Sequence, residues 1–183
     1  MYLDAKQQDR PTAGDLAISS ARQSLQELLF DGLDHRISFD LGLPRKVFFY
    51  GDVSGIGADL WGWAVHQGAE LLLRDGKGVD CAWIAANARA FDCMIVHAEY
   101  LDDLEDTVDF CMNVRQAVPG LPILLVSTEV RDSDLSSARM MACDATVKWP
   151  AGSQAMAQGL RATVENHKRF LAARYGIGCQ TAY

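Results

Sequence analysis

No apolar run in this 183-residue chain approaches the roughly 20 residues that a membrane-spanning helix needs. Met1 to Asp9 lack the basic and apolar regions of a signal peptide, so the expectation is a soluble, cytoplasmic protein. The five cysteines, at 81, 93, 111, 143 and 179, are odd in number, and none is spaced from another or from a histidine as in a zinc finger. That pattern excludes a disulfide framework and a structural zinc site, and the thiols read as small core residues. Basic side chains are also short, 17 Lys and Arg against 24 Asp and Glu.

The imbalance is local. Residues 1–44 carry four bases and seven acids, residues 45–149 nine and sixteen, and residues 150–183 four and one. An acidic body repels a phosphate backbone, and no finger or helix-turn-helix pattern offers a reading head, so direct nucleic-acid binding is not expected. Arg161, Lys168, Arg169 and Arg174 in the basic tail either solvate a helix or meet an acidic partner. With 49% hydrophobic residues the chain can bury a sizeable core, which fits one compact domain with an appendage.

From residue 45 onward short apolar runs recur: Val47-Phe48-Phe49-Tyr50, Leu71-Leu72-Leu73, Cys93-Met94-Ile95-Val96, Ile123-Leu124-Leu125-Val126 and Ala145-Thr146-Val147. Their continuous apolarity implies burial on both faces, the mark of a parallel sheet covered by helices. The intervals predict helices over Ile56–Gln67, Gly78–Ala88, Leu104–Ala117, Leu135–Ala142 and Ser153 to about Arg174. Five β-α units make a doubly wound α/β sheet. In the last helix Met156, Leu160, Val164, His167 and Leu171 form one stripe.

Before the sheet, Asp15 caps an expected helix with Ile18, Ala21, Leu25, Leu28 and Leu29 on one side, ending near Gly32. It either packs on its own domain or dimerises. The expected organisation is an N-terminal helix and linker over 1–45, the sheet domain over 46–174 and a tail over 175–183.

Chemistry in an open parallel sheet lies beyond the carboxyl ends of the strands. There the chain has Gly51-Asp52 after the first run, His97-Ala98-Glu99 after the third, Ser127-Thr128 after the fourth and Lys148-Trp149-Pro150 after the fifth. The set resembles the receiver domain of bacterial response regulators over residues 46 to about 172, which implies a flavodoxin-like five-stranded parallel sheet. Receivers place two acids after the first strand, a phospho-accepting aspartate after the third, a hydroxyl after the fourth and a lysine before a proline after the fifth.

In this chain the acidic pair falls on Gly51 and Asp52, the phosphoacceptor position on His97 and the hydroxyl on Ser127. Trp149 precedes the proline, and Lys148 is one place early. Because strand side chains alternate faces, that shift points the Lys148 ammonium away from the pocket. The aromatic position three residues before the expected lysine is Thr146.

The resemblance therefore implies a degenerate receiver, or pseudo-receiver. Its phosphorylation pocket is reduced to Asp52, Ser127, Lys148 and Trp149, with His97 in the acceptor's place, because an aspartyl phosphate needs a carboxylate nucleophile and a divalent cation. No cofactor or metal is expected, and no catalysis. His97 either pairs with Asp52 at adjacent strand ends or bonds to backbone; a weak transition-metal site of Asp52, His97 and Glu99 is a further alternative. Trp149 is expected to cover the former phosphate pocket. A protein partner would dock on the face made by the fourth helix, fifth strand and fifth helix, with a homodimer as the expected assembly.

The stretch Gly51-Asp52-Val53-Ser54-Gly55-Ile56-Gly57 also looks like the cofactor loop of short-chain dehydrogenases, in which glycines let backbone approach a pyrophosphate. That likeness is the basis of the alternative reading, a nucleotide-binding relic. No tyrosine has a lysine four places on, so that family's catalytic pair is absent. The acidic run Glu99 to Asp109 reads as a solvated helix start, capped by Asp102 or Asp103. Trp61, Trp63 and Trp83 read as core or interface residues.

Overall fold

The computed structural model describes residues 43–74, 79–101, 103–138 and 141–175. The expected N-terminal helix, most of its linker and the last residues of the tail lie outside that set. Five strands form one sheet: β1 (Lys46–Tyr50), β2 (Glu70–Arg74), β3 (Cys93–His97), β4 (Ile123–Ser127) and β5 (Ala145–Lys148). All pair in parallel, in the order β2-β1-β3-β4-β5.

Alternation of side chains along each strand divides the core. Val47, Phe49, Cys93, Ile95, Leu124 and Val126 pack under α1 (Ile56–Gln67) and α4 (Ser153–Tyr175), with Leu60, Met156 and Leu160. Phe48, Tyr50, Met94, Val96, Ile123 and Leu125 pack under α2 (Cys81–Asn87) and α3 (Leu104–Ala117), with Ile84, Cys111 and Val114. Each fully buried large side chain contributes about 1.5–3 kcal/mol, which explains why the apolar runs mark the strands so clearly. Cys93, Cys111 and Cys143 are buried and form no disulfide, and burial pushes the thiols of the first two well above the usual range.

Two helix starts follow from local chemistry. Asp80 accepts from the Trp83 N–H at 2.7 Å to cap α2, and Asp103 accepts from the Asp106 N–H at 2.8 Å to cap α3. Of the two aspartates expected for α3, Asp103 is the cap. Trp83 is half-buried, stacked with Phe91 at 6.4 Å between ring centres, whereas Trp61 is exposed.

The helix expected over Leu135–Ala142 is not formed among the described residues of that span, and this corrects the sequence reading. Asp134 takes the Ser136 N–H and hydroxyl at 3.0 and 2.6 Å, a local turn that competes with helix. The carbonyls of Leu135 and Ser136, which a helix would use internally, accept instead from the Asn166 side chain of α4. Asp134 also forms an antiparallel bridge to Thr146, covering the outer edge of β5. Among the described residues, the docking face expected from the fourth helix, fifth strand and fifth helix thus lacks its first component.

The stripe on α4 also shifts. Its buried residues are Met156, Gly159, Leu160, Thr163, Asn166, His167 and Phe170, with Val164 and Leu171 only half-buried. Asn166 and His167 turn inward because each has a polar partner at the amino edge of the sheet. Asn166 donates to the Asp144 carbonyl at 2.7 Å. His167 Nδ1 lies 3.2 Å from the Asp144 carboxylate and 2.8 Å from Arg115 Nη1. That carboxylate also accepts from the Ile123 N–H at 2.7 Å and lies 3.1 Å from Arg115 Nη2. The Arg115 guanidinium lies 4.5 Å from the centre of the Phe170 ring. These ionic groups are nearly inaccessible, and they tie α3, α4 and the approaches to β4 and β5 together.

Candidate functional site

The carboxyl ends of β1, β3, β4 and β5 bring the receiver-like positions to one edge, as the topology demands. Gly51 follows β1 and is buried against β3. A methyl group there would overlap His97 Cβ and come within 2.7 Å of Phe49 Cζ, so no second carboxylate fits beside Asp52.

Asp52 does not pair with His97. Its carboxylate turns into its own loop, accepting from the Ser54 N–H at 3.0 Å and the Ser54 hydroxyl at 2.8 Å, with the Gly55 N–H as a further donor. The Ser54 hydroxyl and the Gly55 N–H hold Asp52 below the usual carboxylate range. A Cβ at Gly55 would overlap that carboxylate. The glycine-rich loop therefore spends amides on an internal anion at the very place where a pyrophosphate would need them.

His97 pairs instead with Glu99, two residues on in the same segment, with Nε2 3.2 Å from Oε2. This replaces the expected pairing with Asp52. The imidazole is mostly buried, and its Nδ1 finds no hydrogen-bond partner among the described residues. Glu99, read from the sequence as an alternative metal ligand and the start of an acidic run, is the hub of the site. It accepts from the Ser127 hydroxyl and from the N–H groups of Thr128 and Glu129 at 3.2 and 3.4 Å. Burial works to raise Glu99, but the Ser127 hydroxyl and these backbone donors outweigh it and hold the carboxyl below its usual range. A glutamate just past a strand that carries His97 was the available signal; which hydroxyl it would meet depends on strand order.

Lys148 points away from this cluster. Its ammonium donates to the Arg131 carbonyl at 2.8 Å. Trp149, joined to Pro150 by a cis peptide bond, packs in the core with Phe49, Ile56, Leu60 and Met156. It also lines an open recess of about 420 Å³ beside Asp59, Trp63 and His66. The expected cover over the phosphate pocket is therefore a core side chain under α1 and α4. Asp52 and the His97–Glu99 pair do not converge as a metal site; among the described residues no three His, Cys, Asp or Glu side chains are grouped to hold an ion. No helix among them is long and apolar enough to cross a membrane.

No protein-family model matches the chain, and no curated protein matches it. Among solved structures it is similar to a response regulator receiver domain protein from Clostridium thermocellum. The identity is 14%, the match covers 68% of this chain and 98% of that one, and the TM-score is 0.51. It is also similar to a pilus assembly-related protein from Burkholderia pseudomallei, with 18% identity, 66% and 90% coverage and a TM-score of 0.50. At these identities the likeness concerns the fold: a flavodoxin-like, receiver-type five-stranded parallel sheet with helices on both faces.

Proposed function

We propose that this chain is a signalling or regulatory module that works by binding protein, on a receiver-type fold that has lost phospho-switching. The observation that carries the reading is the state of the carboxyl edge. His97 stands where the acceptor aspartate would be and is engaged by Glu99; Glu99 is engaged by Ser127; the Lys148 ammonium serves the Arg131 carbonyl. The Asp52 and Glu99 carboxylates, the Ser127 hydroxyl and the Lys148 ammonium are each already engaged within the protein, and the space for a second acid at Gly51 is filled. Such a module is not an enzyme, acts in the cytoplasm and associates with protein partners, a second copy among them.

The nucleotide-binding alternative is disfavoured because Asp52 occupies the amides of the glycine-rich loop. Incubation with acetyl phosphate and magnesium, followed by intact-mass measurement, tests the reading. No phosphate is expected on the chain, and magnesium at millimolar concentration is expected to leave the melting temperature unchanged. Incorporation of phosphate at His97 or Glu99 would overturn the proposal.

A further inference from the structure

The strands all run one way, so the two edges of the sheet are chemically distinct. The carboxyl edge is acidic. Between the segments after β3 and β4 lies an open recess of about 370 Å³ whose walls include Glu99, Asp103 and Glu129 but also Leu101, Leu104 and Val130. Glu105 and Asp106, exposed on the first turn of α3, extend the acidic lip. Leu104 is 66% exposed, the most exposed large apolar side chain among the described residues. The bases on this side, Arg74, Arg131 and Lys148, do not line the recess.

The amino edge has the opposite sign. Arg45, Lys46 and Arg89 are exposed there. Of the acids beside them, Glu70 lies 4.0 Å from Lys46, and Asp92 accepts from the Arg45 and Lys46 N–H groups. The end of α4 adds Lys168, Arg169 and Arg174, all exposed. It also protrudes. His167 is level with Asp144, the residue just before β5, so the helical residues from Lys168 to Tyr175 run about 12 Å past the sheet at 1.5 Å each. Tyr175 is 47% exposed at the tip, with the Arg174 guanidinium 5.9 Å from its ring centre.

Acids at helix starts and bases at helix ends suit the helix dipoles. The dipoles give no reason for a bare leucine among the acids or a bare tyrosine among the bases. Apolar anchors set in complementary charge are the ordinary make-up of a protein–protein contact.

We propose that copies of this chain associate end to end, the basic α4 tip of one copy, with Tyr175 and Arg174, seated in the acidic recess beside Leu104 of the next. The proposal rests on the protein-binding reading above and names the partner as a second copy. Because the two surfaces differ, the contact is heterologous; it does not close into a two-fold dimer and grows with concentration. Its charges make it sensitive to salt.

The full chain, followed by sedimentation velocity over a concentration series, tests it. Average mass is expected to rise with concentration at low ionic strength and to fall to the monomer at about 0.5 M salt. Leu104→Asp and Arg174→Glu, both at exposed positions, should each weaken association about tenfold or more without lowering the melting temperature. Mixed one to one, the two variants should pair and stop at two chains, since one keeps only its basic tip and the other only its recess. A monomer at every concentration and salt would overturn the proposal, as would a closed dimer indifferent to both substitutions or a mixture that stays monomeric. Those results would leave the loss of phospho-switching untouched, which the acetyl phosphate experiment tests separately.

Discussion

At the amino edge of the sheet, Asp144, Arg115 and His167 are sealed from water and pair with one another across α3, α4 and the approach to β5, although Arg115 Nε, Asp144 Oδ1 and His167 Nε2 find no hydrogen-bond partner among the described residues. At the carboxyl edge, Asp52, His97 and Glu99 stand closer to solvent; Asp52 and His97 pair within their own loops, and Glu99 reaches across to Ser127, Thr128 and Glu129 after β4. The first arrangement joins elements far apart in sequence and acts as a fastening. The second organises loops, and its carboxylates are already spoken for. The contrast teaches that polar residues at a strand end are no evidence of chemistry until their partners are known. The more deeply buried ionic cluster among the described residues lies at the end where the fold places no site.

The comparison can be broken at either edge. Asp144→Ala should have the largest effect, about 3–5 kcal/mol in denaturant unfolding, because it leaves the buried Arg115 guanidinium without its counter-charge. Asp144→Asn, which keeps an acceptor for the Ile123 N–H, should cost less; equal losses would argue against the ionic account. Next, Gly51→Ala should destabilise by about 1–3 kcal/mol through overlap with His97 Cβ and Phe49, and His97→Gly in the same chain, which removes that Cβ, should lower the further cost of the Gly51 substitution.

Glu99→Gln should cost about 1 kcal/mol, the worth of charge-assisted bonds to Ser127 and two backbone amides at a partly exposed position. The pH dependence sharpens this third test. Glu99 has its carboxyl lowered in the native state, so its contribution is complete above the unfolded value near 4 and is lost as pH falls through the lower native value. The unsubstituted chain should therefore lose stability more steeply than Glu99→Gln between about pH 5 and 3, read by thermal unfolding in matched buffers. Lys148→Ala should change stability by no more than about 0.5 kcal/mol, since the ammonium only meets an exposed carbonyl. A loss of several times that amount would mean that Lys148 supports the site after all.

Much of the fold was legible from residue order. Continuous apolar runs, interrupted at helical intervals, located the five strands and the four α-helices of the described residues, because burial on two faces leaves no room for polar residues. The span 135–142 was misread because Leu135, Ala138, Met141 and Ala142 have helical spacing; the competing bonds come from Asp134 within the segment and from Asn166, some 30 residues away. His167 was read as one more member of an apolar stripe, since a histidine and a leucine occupy the same face equally well until a carboxylate is brought beside one of them. In the candidate site the strand-end positions were legible and the pairings were not: Lys148 turns to the Arg131 carbonyl, Trp149 enters the core, and Glu99 takes the Ser127 hydroxyl. His97 had two carboxylates within reach along the chain, and nothing local decides between them.

Composition and order alone determined that this protein would be an acidic, doubly wound sheet with its apolar runs inside, because hydrophobic burial is additive along a chain and needs no knowledge of partners. Tertiary structure alone decided which charges would meet. A hydrogen bond or an ion pair depends on a few tenths of an ångström and on direction. Those are set only when β3 and β4 lie side by side, placing the Ser127 hydroxyl on Glu99, and when α4 folds back to place His167 against Asp144.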